Sequence, residues 1–129
     1  MTSNSSSPVV TGWPGRVRCA FNGLGLVFRS QDSARIQAIA ALAVVVLGVA
    51  LRVSAPEWCA LVLAIALVLT AEALNTSIEA VVDLVSPEFH QVAGRAKDVG
   101  AGAVLIAALG SIVVGLLVFG PHVRVFLHG

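Results

Sequence analysis

The feature that most constrains the fold is a run of apolar residues near the carboxyl end of the chain. Residues 99–119 contain no charged side chain. A helix needs about 20 predominantly apolar residues to cross the hydrocarbon core of a bilayer. Two further apolar runs, residues 36–51 and 58–71, precede this one. Together they predict three transmembrane helices and an all-α membrane protein.

The composition agrees with a membrane environment. Of the 129 residues, 57% are hydrophobic and 12% are charged, whereas about a quarter of the residues of a soluble domain are charged. We expect one membrane domain over residues 16–120, a disordered leader over residues 1–15 and a short tail over residues 121–129. The net charge of +1, without a basic cluster, argues against a nucleic-acid partner.

Positive charge indicates the orientation, because cytoplasmic loops carry an excess of Lys and Arg. Arg52 and Arg124 flank the predicted spans on one side, and a larger group flanks them on the other: Arg16, Arg18, Arg29, Arg35, Arg95 and Lys97. The amino terminus is therefore predicted to be cytoplasmic. Residues 16–29 carry apolar side chains at helical spacing with polar residues on another side. This pattern is typical of an amphipathic helix at the membrane surface, or of a short helix packed on its own bundle.

Three carboxylates interrupt the apolar sequence in "AEALNTSIEAVVD", residues 71–83. At 100° per residue, Glu72, Glu79 and Asp83 project within about 40° of one another on a helix. A carboxylate near the bilayer centre costs about 2.5–3.5 kcal/mol even on the permissive insertion scale. Such residues are expected to face protein or water and to carry function. Glu79 and Asp83 also fit ordinary solvated positions at a helix end.

Glu72, Glu79 and Asp83 together form a carboxylate stripe on one face of the helix. Such a stripe suits a proton relay, a cation site, or a site for Mg²⁺ and a triphosphate. Lys97 and Asp98 begin the third span and offer an ammonium and another oxygen ligand. Mg²⁺ prefers a few carboxylates plus substrate phosphates to a cage made by protein alone. These residues favour the triphosphate site, although the sequence has neither a Walker A motif nor a kinase Gly-rich loop.

"AEALNTSIEAVVD" followed by "EFHQVAGRAKDVGAGAVLIAA" closely resembles the signature of the prokaryotic integral-membrane lipid kinases, the diacylglycerol kinase and undecaprenol kinase family. The resemblance covers most of residues 16–119. It implies a homotrimer with active sites shared between subunits, in the inner (plasma) membrane of a prokaryote. A small-residue face on the third span is compatible with close helix approach; it comprises Ala103, Ala107, Ser111 and Gly115.

The resemblance also implies residue roles. Glu72 matches the catalytic base, which takes the proton from the lipid's primary hydroxyl as that hydroxyl attacks the γ-phosphorus of ATP. Glu79 matches a ligand of Mg²⁺ and thereby of the ATP phosphates, and Lys97 would neutralise phosphate charge in the transition state. The resemblance further implies that Glu88, His90 and Asp98 contact ATP. It also implies that Arg35, Asn75 and Asp83 bind the substrate or order the site.

One position departs from the family pattern. Where relatives often carry a second metal-binding Glu before the first span, this chain has Gln31, followed by Asp32. Gln31 binds the metal and ATP through its amide oxygen, or Asp32 replaces it, or Glu79 holds the metal largely alone. Gln31 also fits a plain helix-end residue.

Two other functional classes fit the stripe without the resemblance. One is a proton- or ion-coupled transport subunit using Glu72, and the other is a noncatalytic membrane assembly subunit in which the stripe serves only helix pairing. The "GRAKD" segment, residues 94–98, argues against the transport subunit, which would not need such a segment in a loop. Within the kinase reading, undecaprenol and diacylglycerol both remain open as the acceptor.

Overall fold

The computed structural model describes residues 12–129 of the chain. Four helices make up this part: α1 (Trp13–Ser30), α2 (Asp32–Ala50), α3 (Ala55–Val85) and α4 (Gln91–His128). Residues 12–129 contain no strand. Most of the predicted disordered leader, residues 1–11, lies outside the described residues, and α1 begins at Trp13, inside the segment assigned to that leader.

Helices α2, α3 and α4 are each long and apolar enough to cross a membrane. Many of their large apolar side chains are exposed, including Leu63 and Leu117. A soluble protein would bury such side chains, because their contact with water is unfavourable. The predicted all-α membrane fold with three spans and a short amino-terminal helix is confirmed.

The turn between α2 and α3 is short, and two local features determine its shape. Arg52 adopts a φ of 52°, in the left-handed region that reverses the chain direction after a helix. Ser54 then caps α3: its hydroxyl accepts a hydrogen bond from the Glu57 amide at 3.4 Å, and the Glu57 carboxylate accepts one from the Ser54 amide at 2.8 Å. This reciprocal capping box begins α3 directly after the turn, so α2 and α3 run antiparallel.

Helix α3 packs more extensively on α4 than on α2. Ala107 of α4 is buried, and the Ser111 hydroxyl donates to the Ala64 carbonyl oxygen of α3 at 3.2 Å. Small residues let two helix backbones approach closely. Part of the predicted small-residue face of α4 is therefore used against α3 of the same chain, and it does not by itself support oligomerisation.

Helices α1 and α4 extend beyond their predicted bounds. Helix α1 spans Trp13–Ser30, whereas the sequence predicts it over residues 16–29. Helix α4 continues through Pro121 to His128, across the segment 121–129 that the sequence assigns to a short tail. Proline removes one backbone hydrogen bond, but here the helix resumes after it. Helix α1 contacts α2 and α3 and has no buried residue. Its helical structure is confirmed, whereas its location at the membrane surface stays a prediction.

Candidate active site

The carboxylate stripe lies on the second half of α3, and its members differ in exposure. Glu72 is buried, with 3% of its surface exposed. Glu79, about two turns further along, is half-buried. Asp83 lies near the end of the helix, and its side chain is 65% exposed. One uninterrupted helix therefore carries three carboxylates from the packed interior of the chain to its surface.

Helix α2 supplies the polar groups around Glu72. The Ser33 hydroxyl donates to Oε1 of Glu72, and Nε2 of Gln37 donates to Oε2 at 3.3 Å. Buried carboxylates are costly unless they are hydrogen-bonded, and these two donors partly offset that cost. On α3 itself, the Thr76 hydroxyl donates to the backbone carbonyl of Glu72 at 2.9 Å. The position of Glu72 is thus fixed from two helices.

Asn75 connects the stripe to α4. Its Nδ2 donates to Oε1 of Glu79 at 3.4 Å. Its Oδ1 is buried and has no hydrogen-bond partner among the described residues. That oxygen faces Gly100, where a side chain would collide with it. Asn75 therefore bridges Glu79 and α4, and its side chain fits there because α4 carries glycine at position 100.

Lys97 of α4 meets the exposed end of the stripe. Its Nζ lies 2.5 Å from Oδ1 of Asp83, and the Lys97 side chain is 40% exposed. This ion pair joins the end of α3 to the first turns of α4. The predicted proximity of Lys97 to the stripe is present in the structure. Asp98, the next residue, is exposed and makes no side-chain hydrogen bond within residues 12–129.

The predicted residues near the first span lie at the break between α1 and α2. The backbone of Gln31 caps both helices. Arg35 donates from Nε to the Phe28 carbonyl at 2.9 Å and from Nη2 to the Arg29 carbonyl at 2.5 Å. Its Nη1 also lies 3.3 Å from Oδ1 of Asp32. Arg35 thus satisfies the last carbonyls of α1 and fixes the angle between the two helices.

Glu88 and His90 lie in the exposed connection between α3 and α4. Nδ1 of His90 accepts a hydrogen bond from the Val92 amide at 3.1 Å, which caps α4. The backbone carbonyl of Glu88 accepts one from the Ser86 hydroxyl at 3.0 Å. Both side chains are placed at the end of the bundle that carries Lys97, but neither contacts the stripe by a hydrogen bond or ion pair in the described chain.

Residues 12–129 contain no group of three or more His, Cys, Asp or Glu side chains suited to a metal ion. Within this range no hydrogen bond or ion pair joins Gln31 or Asp32 to Glu79. The donor set still fits Mg²⁺ brought by a nucleotide, because Mg²⁺ uses one or two carboxylates together with substrate phosphates and waters. Glu79, which is half-buried, would supply a carboxylate oxygen to such an ion.

An apolar cavity of about 550 Å³ lies between α2, α3 and α4. Gln37 lines it at the end near Glu72, and Phe119 lines it at the opposite end. Its other lining residues are almost entirely apolar, for example Leu61 and Val68. The cavity therefore gives an apolar molecule space that extends from the neighbourhood of the buried carboxylate into the membrane-spanning part of the bundle.

Ser33 and Gln37 were not predicted as partners of Glu72. A usable signal was present, because the two polar residues are one helical turn apart and so share a face of α2. Gln37 also falls within the first predicted apolar run. What the sequence did not contain was the rotation of α2, which decides whether that face meets Glu72.

Comparisons with known proteins give the site its context. The sequence profile of the prokaryotic diacylglycerol kinases matches residues 18–119. The undecaprenol kinase of Bacillus subtilis (strain 168) is 38% identical over 102 residues, which cover 79% of this chain and 83% of that protein. The diacylglycerol kinase of Escherichia coli (strain K12) is 35% identical over 103 residues, covering 80% and 84%. The chain therefore belongs to the prokaryotic diacylglycerol kinase family and is a lipid kinase.

Proposed function

We propose that the protein transfers the γ-phosphoryl group of ATP, with Mg²⁺, to the primary hydroxyl of a membrane lipid alcohol at the cytoplasmic membrane surface. The observation that carries this proposal is the stripe on α3. A buried carboxylate, Glu72, stands near an apolar cavity, and exposed charged groups, Asp83 and Lys97, stand near the polar end of the same helix.

Glu72 acts as the general base. It takes the proton of the lipid hydroxyl while the hydroxyl oxygen bonds to the γ-phosphorus. The bond between that phosphorus and the β,γ-bridging oxygen breaks, and ADP leaves. Burial and the hydrogen bond from Gln37 of α2 hold Glu72 in one orientation, as a base within hydrogen-bond reach of its substrate requires.

The other end of the stripe holds the phosphates. Glu79 would hold Mg²⁺, with Asn75 ordering its carboxylate and with Gln31 or Asp32 as the second ligand. Mg²⁺ would supply neutralisation of the negative charge on the triphosphate. The ammonium of Lys97 exchanges its contact with Asp83 for the phosphates, where it stabilises developing charge. Asp98, Glu88 and His90 lie at the same end of the bundle and contribute to the nucleotide site.

The acceptor is a lipid with a primary hydroxyl, either undecaprenol or diacylglycerol. The apolar cavity beside Gln37 supports a place for the lipid chain, because its walls match hydrocarbon. The two relatives described above are named for these two lipids. Parallel turnover measurements with both lipids identify the acceptor of this chain.

We also propose that the protein is a homotrimer in the inner (plasma) membrane of a prokaryote, with a cytoplasmic amino terminus. The positive charges before α2 and at the start of α4 support this orientation. The exposure of Asp83 and the partial exposure of Glu79 support assembly, since a neighbouring copy would enclose the open side of the site. Light scattering of the purified protein in detergent tests the trimer.

The test of the function is phosphate transfer from radiolabelled ATP to lipid by the purified protein, with Glu72→Gln as the matched variant. We expect labelled lipid with the wild type and a rate at least about a hundredfold lower with Glu72→Gln, the usual contribution of a general base. Equal labelling by both proteins would remove Glu72 from the base role. The alternative, a proton-coupled transport subunit, gains no support from the comparisons, and it predicts no labelled lipid with either protein.

A further inference from the structure

Both carboxylate oxygens of Glu72 accept hydrogen bonds from side chains of α2. The Ser33 hydroxyl donates to Oε1, and the Gln37 amide donates to Oε2 at 3.3 Å. Glu72 has only 3% of its surface exposed. Each oxygen can accept a second hydrogen bond, but at this burial another donor reaches the carboxylate only if a neighbouring side chain moves.

This arrangement bears directly on the proposed function, on which the present inference rests. A base must accept a hydrogen bond from the hydroxyl that it deprotonates, at about 2.6–3.2 Å. The two side chains that donate to the carboxylate are the candidates to move aside when the lipid hydroxyl arrives. The two donors differ chemically, because serine carries a primary alcohol, the functional group of the acceptor lipid, whereas glutamine carries an amide.

The side chains of Ser33 and Gln37 also differ in their freedom to move. Ser33 is exposed and lies in the first turn of α2, so its hydroxyl can rotate away from Glu72 and bond to water. Gln37 is half-buried, and its Oε1 is fully buried without a partner among the described residues. Moving Gln37 would leave a second buried polar group unsatisfied, at a cost of about 1–3 kcal/mol.

We infer that the Ser33 hydroxyl occupies the acceptor-alcohol position on Glu72 when no lipid is bound, and that the lipid hydroxyl replaces it there. Gln37 is the positioning residue that keeps the other oxygen of the carboxylate oriented during the exchange. One alcohol replaces another, so Glu72 keeps the same number of hydrogen bonds throughout. Ser33 thus competes with the lipid hydroxyl for Glu72. Before a lipid binds, it also prevents water from reaching the Glu72 carboxylate.

Two readouts test this role, both on the full-length protein in detergent micelles or nanodiscs. In Ser33→Ala the competitor is gone, so we expect the KM for the lipid alcohol to fall about threefold to tenfold, the range that one hydrogen bond supplies, at an unchanged kcat. Water then reaches Glu72 without lipid, so we expect ATP hydrolysis in lipid-free micelles to rise by at least a similar factor. Ser33→Thr restores the hydroxyl, and we expect both values to return towards those of the wild type.

Two control variants separate this effect from general disturbance. Ser30→Ala makes the same change on an exposed side chain at the end of α1 and should leave both readouts at wild-type values. Gln37→Met keeps the size of the side chain but removes the donor. It should lower kcat without raising lipid-free hydrolysis, because Ser33 remains in place.

The inference is wrong if Ser33→Ala lowers kcat at an unchanged KM, since Ser33 would then position the base instead of competing with the lipid. It is equally wrong if the variant changes neither the KM for lipid nor the lipid-free hydrolysis. Both outcomes are interpreted against two reference proteins, a wild type that phosphorylates lipid and a Glu72→Gln variant that does not. If that pair shows no difference, the proposed function itself fails, and this inference fails with it.

Discussion

Gly100 of α4 lies so close to Asn75 of α3 that a Cβ atom at position 100 would be 2.4 Å from Oδ1 of Asn75. Gly100→Ala must therefore push the Asn75 amide away and break its hydrogen bond to Glu79. We expect kcat/KM for ATP to fall about tenfold or more, the effect of one hydrogen bond to a charged group. The Mg²⁺ concentration that gives half the maximal rate should rise, which a magnesium titration measures.

The chain offers a matched control for this prediction. Gly102→Ala makes the same change on the same helix, where a Cβ atom meets nothing within 4 Å. Its activity and magnesium requirement should stay at wild-type values. A Gly100→Ala protein with both values unchanged would show that Asn75 does not order Glu79.

Gly48 is the point of close approach between α2 and α3. A Cβ atom there would lie 2.7 Å from Cη2 of Trp58, and the bulky indole cannot yield without moving the helices apart. We expect Gly48→Ala to cost about 1–3 kcal/mol of stability, as overpacking does elsewhere, and to lower Tm in detergent. Gly110→Ala, in open space on α4, should not lower Tm. A drop of equal size in both variants would remove the packing explanation.

Arg35 acts as a cap of α1, which we expect to be its main contribution. Its guanidinium donates to the carbonyls of Phe28 and Arg29 at once, a fork that the single ammonium of lysine cannot reproduce. Arg35→Lys should therefore speed hydrogen exchange in the last turns of α1, while Arg18→Lys, on an exposed part of the same helix, should leave it unchanged. Unaltered exchange in Arg35→Lys would mean that α1 is held by other contacts.

Glu57 and His122 form a contact at the opposite end of the bundle from Lys97. Oε2 of Glu57 lies 3.0 Å from Nε2 of His122, which joins the start of α3 to the last part of α4. Glu57→Gln weakens this pair but keeps a side chain that can complete the capping box. We expect a small decrease in Tm and no change in kinase activity. In a double-mutant cycle with His122→Gln, additive effects on Tm would show that the pair does not interact.

The sequence predicts those parts of the fold that depend on length and on helical spacing. Apolar runs of sufficient length predict the three spans, and the spacing of Glu72, Glu79 and Asp83 predicts a shared face, whatever their neighbours are. The position of Lys97 next to this face also followed from its place at the start of the third span. These features are set within single helices or by short connections.

The contacts between helices could not be predicted in the same way. Helix α2 is apolar on nearly all sides after its first turns, so its sequence does not fix which side meets α3. The partners of Glu72, namely Ser33 and Gln37, depend on that rotation. The same holds for Gly100, whose role depends on its register opposite Asn75. The continuation of α4 past Pro121 to His128 was not predicted, because the apolar run that defines the third span ends at residue 119.

Helix α3 has 31 residues, so it is about 46 Å long at 1.5 Å per residue, whereas the hydrocarbon layer is about 30 Å thick. A rigid rod of this length protrudes from the layer, and it keeps the height difference between Glu72 and Asp83 constant. An oil-soluble reactant and a water-soluble one can then meet across a boundary that neither crosses. The backbone geometry of α3 therefore sets how far the buried carboxylate lies from the exposed end of the helix.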